Sequence, residues 1–166
     1  MPRPEQVALF IRNVEKEFGT VDRVADAAAI PGAVAEYLAA QNLEPRFVMA
    51  PNPELQALPW ADKPLLAFEA RRAEATDTVS VQHGYAAIAE TGTLMLPSDP
   101  ARPTTLNLLA ETEIVILRTS RIHGAYEEAW DTLRRERTDP VTGGFMPRNV
   151  MLVTGPSRSA DIEQTL

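Results

Sequence analysis

Apolar positions along the first fifty residues recur first at helical and then at strand-like spacing. Val7, Phe10, Ile11, Val14 and Phe18 form one stripe, with Glu5, Arg12, Glu15 and Lys16 largely off it. The spacing predicts an amphipathic helix that stops at Gly19. Residues 20–24 read as a short strand or an extended link. Pro31 suits the first turn of a second helix, where its missing N–H is not needed. Val34, Tyr37 and Leu38 then face inward, and the pattern fades at Gln41 and Asn42. Residues 46–50 form a continuous apolar run, stopped by Pro51 and Pro53. Residues 65–68 form another, behind Trp60 and Pro64. Helix, strand, helix, strand is the signature of an α/β domain with a mainly parallel sheet.

The second half continues the pattern less regularly. Residues 69–77, with Arg71 and Arg72, read as a solvated connector, and residues 79–81 as a short extended piece. His83 stands alone before a small-residue segment and reads as a hydrogen-bonded structural residue. Residues 84–89 suit a short helix or a tight buried turn. Leu94, Met95 and Leu96 suit a strand; Pro97, Pro100 and Pro103 punctuate a loop; Leu106, Leu108 and Leu109 suggest a short helix. Residues 113–117 are the clearest buried strand. Ser120 suits the N-cap of a following helix, on which Ile122, Tyr126, Trp130 and Leu133 share a face. Residues 134–144 read as a hydrophilic surface loop. Residues 150–153 read as a strand, followed by a loop and a helix from near Ser159. The expected core strands are thus Phe47-Val48, Leu65-Leu66, Leu94 to Leu96, Ile114 to Leu117 and Val150 to Val153.

Two polar segments interrupt these apolar runs. In Ala89-Glu90-Thr91-Gly92-Thr93-Leu94 the polar groups lie between stretches that favour burial, and Gly92 tolerates positive φ and close approach. In Gly155-Pro156-Ser157-Arg158-Ser159-Ala160-Asp161-Ile162-Glu163, Ser157 and Ser159 offer hydroxyls and Arg158 offers a planar fork for a carboxylate or phosphate. Asp161 and Glu163 suit a helix start by charge. A turn entering a strand and a capped helix with a surface arginine explain the same residues structurally. The functional expectation joins them: Glu90, Thr91, Gly92 and Thr93 beside Ser157, Arg158 and Ser159, at the carboxyl rim of the sheet where ligands gather. Thr91 and Thr93 would donate hydroxyls, Gly92 would admit the ligand to the backbone, and Glu90 would orient Arg158 or shuttle a proton.

Together these segments resemble the LUD-domain family, typified by the lactate utilization protein C group. Arg102-Pro103, the run 114–117 and Ser120-Arg121-Ile122 add to the likeness. The resemblance implies one domain over residues 1–166, a three-layer α/β/α sandwich with a mainly parallel sheet, and the fold group of CoA transferases, ribose-5-phosphate isomerase and glucosamine-6-phosphate deaminase. It implies a non-redox component of a system that oxidises lactate to pyruvate with iron–sulfur partner proteins, binding a small anionic metabolite or supporting those partners. The alternatives are a stand-alone CoA-transferase-like enzyme acting on an acyl-CoA or sugar phosphate, with Glu90 in acid–base or acyl chemistry, and a metabolite-sensing module. The family usually continues past the position of Leu166 with a further histidine-containing segment and a strand. The resemblance therefore implies a domain that lacks its C-terminal strand and stops inside the expected helix.

Composition narrows the chemistry. The chain has no cysteine, which excludes a cysteine nucleophile or a cysteine-held iron–sulfur cluster within it; the clusters that the resemblance implies are therefore expected on partner proteins. Two histidines, His83 and His123, are too few and too separate to suggest a metal centre. A net charge of -7 disfavours general nucleic-acid binding. No run is long enough for a membrane span and residues 1–6 open no secretory signal, so the expected location is cytoplasmic; homo-oligomerisation is left open. The purified chain should show no visible chromophore and should not reduce a dye with lactate as sole donor. Dye reduction without added partners would overturn this.

Overall fold

The computed structural model describes residues 2–97, 110–137, 150–154 and 163–165. The first apolar stripe forms helix α1 (Arg3–Lys16), which buries Val7, Phe10 and Val14. The chain leaves it through Phe18 at φ 68, so the left-handed step falls one residue before the expected stop. Helix α2 (Ile30–Ala40) carries Pro31 in its first turn and buries Ile30, Ala33, Val34 and Leu38. One-turn helix α3 (Pro53–Gln56) is capped by Asn52, and helix α4 (Tyr126–Arg137) buries Ala129, Thr132 and Leu133.

The strands are β1 (Arg23–Val24), β2 (Arg46–Met49), β3 (Ala67–Ala70), β4 (Val79–His83), β5 (Ala86–Ile88), β6 (Thr93–Pro97), β7 (Thr112–Arg118), β8 (Ile122–His123), β9 (Val150–Thr154) and β10 (Glu163–Thr165). Six of them form one sheet in the order β1-β10-β7-β4-β2-β3, every neighbouring pair parallel. The expected α/β class with a mainly parallel sheet is what the chain adopts. The other four form a second sheet, β8-β5-β6-β9, in which β6 runs antiparallel to both β5 and β9.

Alternation along β7 ties the layers together. Ile114 and Ile116 join Val34 and Leu38 of α2, Val79 and Val81 in one core. Val115 and Leu117 point the other way and meet Phe10 and Val14 of α1 with Ala87, Leu94 and Leu96 of the second sheet. Beyond that sheet, Ile88 and Met95 pack on Ala129 and Leu133 of α4. Each fully buried large side chain contributes about 1.5–3 kcal/mol.

Several expectations from the sequence are corrected. Leu65-Leu66 is not a core strand: the Leu66 N–H donates to the Lys63 carbonyl, closing a turn with Pro64 at its favoured second position, and β3 begins only at Ala67. Residues 84–89 contain strand β5 rather than a helix, since the alanine side chains let the second sheet lie close against β7. Ser120 caps no helix. Thr119–Arg121 is a single tight turn leading into β8, so Ile122 belongs to a strand and α4 starts only at Tyr126. The supposed loop from residue 134 is helical through Arg137, its arginines suiting the negative end of the helix dipole. Glu163 lies in β10, between β1 and β7, and not in a helix: strand pairing there satisfies backbone groups on both neighbours. In the supposed connector, Glu69 and Ala70 belong to β3 and Arg71 pairs with Asp77. The short helix expected at Leu106, Leu108 and Leu109 and the helix start expected at Ser159 lie outside the described residues.

The face of β7 that carries Val115 also buries a carboxyl. Glu113 is 7% exposed and accepts a hydrogen bond from the Gln82 amide of β4. Burial pushes its pKa from 4.5 up to about 7, against the opposing pull of the Gln82 bond. The unfolded chain ionises this group near its ordinary value, while the folded chain resists ionisation until about 7. Stability from Glu113 is therefore full at low pH and falls by about 3 kcal/mol as pH rises through that window. Glu113→Gln should flatten this dependence in urea titrations between those pH values; an unchanged slope would count against it. Phe10→Ala should cost about 3–5 kcal/mol, whereas Leu65→Ala, at a position 84% exposed, should stay within about 0.5 kcal/mol. Thermal melts of the two variants check the contrast.

Candidate functional site

The segment from Ala89 to Thr93 is held from below by α1. The Asn13 amide donates to the Ala89 carbonyl at 2.7 Å. Gly92 has φ +67, and a Cβ there would lie 2.9 Å from the Asn13 carbonyl carbon and the Val14 nitrogen. Its missing side chain thus makes room for the α1 backbone. Glu90 is exposed, and its N–H donates to the Gly124 carbonyl. It lacks the burial that a sequestered acid–base carboxylate would have.

Thr91 and Thr93 enter a cluster of hydroxyls. Thr93 Oγ1 lies 2.7 Å from Thr91 Oγ1, 2.6 Å from Thr154 Oγ1 and 3.3 Å from the Tyr126 hydroxyl. Hydrogen bonds from Thr91, then from Thr93, hold the Tyr126 phenol below its ordinary pKa, because they favour the phenolate. Antiparallel pairing of β6 with β9 sets Thr93 opposite Thr154, so the first motif stands beside the residue that precedes Gly155. Ser157, Arg158 and Ser159 themselves lie outside the described residues. Both strands belong to the second sheet, and the motif enters β6 at its amino end. The motif therefore does not stand at the carboxyl rim of the parallel sheet.

The carboxyl ends of the parallel strands carry a different constellation, which the sequence reading missed. There a cleft of about 340 Å³ is lined by Glu54, His83, Tyr85, Arg118, Arg121 and Arg137, among others. His83 ends β4, Arg118 ends β7, and Glu54 follows β2 on α3. Arg121 is fully engaged. It donates through Nε to the Tyr85 carbonyl and through both terminal nitrogens to Glu136, at 3.0 and 2.7 Å. This fork holds the Glu136 carboxyl down at about 2. The Arg121 and Arg137 guanidiniums lie 4.7 and 5.0 Å from the centre of the Tyr85 ring, within cation–π range. Arg118 is less bound: it is 61% exposed and stands 3.6 Å from Glu54. Such an array can hold anionic oxygens. The available signal was the position of Arg118 and Arg121 directly after the clearest buried strand, but Arg137 and Glu54 arrive from distant parts of the chain.

A larger cavity, about 500 Å³, opens at the opposite end, where Arg46, Ala67 and Val79 begin their strands. Its Arg71 is already forked onto Asp77, at 2.8 and 2.9 Å, and bonded to Glu69. A ligand there would compete with a complete ion pair, so the carboxyl-end cleft is the better candidate.

Comparison with known proteins bears on the chain as a whole. The profile of the LUD domain matches residues 7–166. An uncharacterised protein of Neisseria meningitidis is 38% identical over 79 residues, 48% of this chain and 31% of that protein. Lactate utilization protein C of Bacillus subtilis is 34% identical over 88 residues, 53% of this chain and 35% of that protein. The same-named protein of Bacillus licheniformis is 33% identical over 96 residues, 58% and 38% of the two chains. The alignments thus span about a third of these relatives. The crystal structure of a DUF162 family protein from Deinococcus radiodurans superposes with a TM-score of 0.72 over 99% of both chains, at 21% identity, and so shares the fold.

Gly92→Ala should destabilise the protein by about 2 kcal/mol or more, since positive φ and contact with the α1 backbone both penalise a Cβ. Thr93→Val should cost about 1 kcal/mol by removing the bonds of a buried hydroxyl, since its partners Thr91 and Tyr126 are half-buried and Thr154 is exposed, so water replaces part of what they lose. Denaturant titrations check both, and a melting curve unchanged by Gly92→Ala would contradict the packing role.

Proposed function

Because the chain belongs to the LUD domain family, we propose that it serves lactate utilization as a component without a redox centre of its own, which binds a small anionic metabolite and works alongside iron–sulfur proteins. The observation that carries this reading is alignment with several proteins named lactate utilization protein C, over more than half of this chain. The chemistry of the chain agrees with the division of labour. Iron–sulfur clusters are held by cysteine thiolates, and this chain has none, so its residues do not fit a cluster. Electron transfer from lactate would then belong to partners. Arg118 at the carboxyl end of β7, with Arg121 and Arg137 in the same cleft, supports the anionic part of the reading. The reading takes the protein to be cytoplasmic; among the described residues no helix is long and apolar enough to cross a membrane.

Deleting the gene in its own host should slow or abolish growth on lactate as sole carbon source and leave growth on glucose unchanged. A tagged copy that restores growth should copurify with proteins absorbing in the iron–sulfur range. Undiminished growth of the deletion strain on lactate would refute the proposal.

A further inference from the structure

The carboxyl-end cleft already surrounds one carboxylate. Glu54 Oε2 lies 3.6 Å from Arg118 Nη2 and 3.9 Å from His83 Nδ1. A single oxygen thus stands between a guanidinium and an imidazole that come from the ends of two adjacent parallel strands. Neither separation is a hydrogen bond. The carboxylate sits in the field of both groups without being fixed by either, and its side chain is 65% exposed. The neighbouring pair is built differently: Arg121 grips Glu136 at 2.7 and 3.0 Å, as a structural ion pair would.

Topology singles out the same spot. The chain leaves β2 for β3 on one side of the sheet and later leaves β4 for β7 on the other, so strand order reverses between β2 and β4. Ligands of open parallel sheets bind in the crevice that such a reversal opens beyond the carboxyl ends. Glu54 follows β2 there and His83 closes β4. The cleft, about 340 Å³, is at the small end of the range for ligand pockets, which suits a small acid better than a nucleotide or a coenzyme. Glu136 offsets Arg121, and Arg118, largely exposed beside Glu54, brings positive charge to the mouth of the cleft.

We propose that this cleft binds the carboxylate of a small organic acid between Arg118 and His83, and that Glu54 stands in the ligand's place and gives way when the acid binds. The inference deepens the anionic-metabolite part of the proposed function and rests on it. Glu54 is then an internal competitor, and its removal strengthens binding. A merely structural Glu54–Arg118 pair predicts the reverse, a weaker or unchanged site.

The test titrates the full chain with pyruvate, lactate and inorganic phosphate, followed by calorimetry and by NMR of the histidine ring protons. Wild type is expected to bind pyruvate or lactate in preference to phosphate. Glu54→Gln should tighten that binding about fivefold, the effect of removing one like charge near 4 Å in a solvent-exposed site. Arg118→Met should weaken it roughly tenfold, by loss of a charge-assisted contact. Melting curves of both variants should match wild type, since both side chains are largely exposed. Three outcomes overturn the proposal: no tightening in Glu54→Gln, a preference for phosphate, or no binding of any probe. These outcomes separate from the pathway reading. If growth on lactate needs the gene but Glu54→Gln leaves affinity unchanged, the site falls and the pathway stands. If growth does not need the gene and Glu54→Gln still binds more tightly, the site stands and the pathway falls.

Discussion

Strand β7 is buried on both faces, and the architecture depends on that. Ile114 and Ile116 serve the core under α2, while Val115 and Leu117 serve the core shared with α1 and the second sheet. A strand can do this only if apolar residues occupy consecutive positions, because neighbouring side chains point to opposite faces. The run Ile114-Val115-Ile116-Leu117 meets that condition. A polar residue within it would put an unsatisfied group between layers, which is the difficulty that Glu113 meets at the edge of the run. There, burial of the carboxyl raises its pKa, and the Gln82 amide offsets part of the cost.

The second sheet can lie against this strand because its own inner residues are small. Ala87 and Ala89 sit in the shared core beside Leu94 and Leu96. Gly92 extends the same economy of volume to α1, whose backbone passes where a Cβ would be. Once α1 is seated, the Asn13 amide secures the Ala89 carbonyl, and the following threonines are held against Thr154 and Tyr126. The Glu-Thr-Gly-Thr segment is therefore placed by packing first, and its hydroxyl cluster follows from that placement.

The parallel sheet makes a separate contribution. By sending β2, β4 and β7 in one direction it gathers Glu54, His83 and Arg118 at one end, although they come from well-separated stretches of chain. Two kinds of ion pair meet there. Arg121 and Glu136 form a tight fork that braces Tyr85, and Tyr85 is further enclosed by Arg137. Arg118 and Glu54 face each other loosely across the cleft. A bidentate fork resists displacement, whereas an exposed pair at longer range contributes little to stability and yields easily. The difference separates the wall of the cleft from the part open to a ligand.

By itself the sequence determined the class of fold. Apolar stripes at helical spacing placed α1 and α2, and apolar runs placed β2, β6, β7 and β9, because each burial pattern has its own period and is local in sequence. It also excluded cysteine chemistry. At residues 84–89 it suggested a short helix or a tight turn where a buried alanine strand forms, since alanine carries no period strong enough to decide. Nor could it read Leu65 as exposed, because hydrophobicity does not report whether a neighbour arrives to cover it. The candidate site was legible only in part. Thr91, Gly92 and Thr93 stood out as polar groups among apolar ones, yet their contacts with α1 and β9 depend on strand pairing across some sixty residues. The carboxyl-end cleft was not legible, because Glu54, His83, Arg118 and Arg137 are ordinary surface types in sequence, and only the parallel stacking of their strands and the packing of α4 bring their charges to one place.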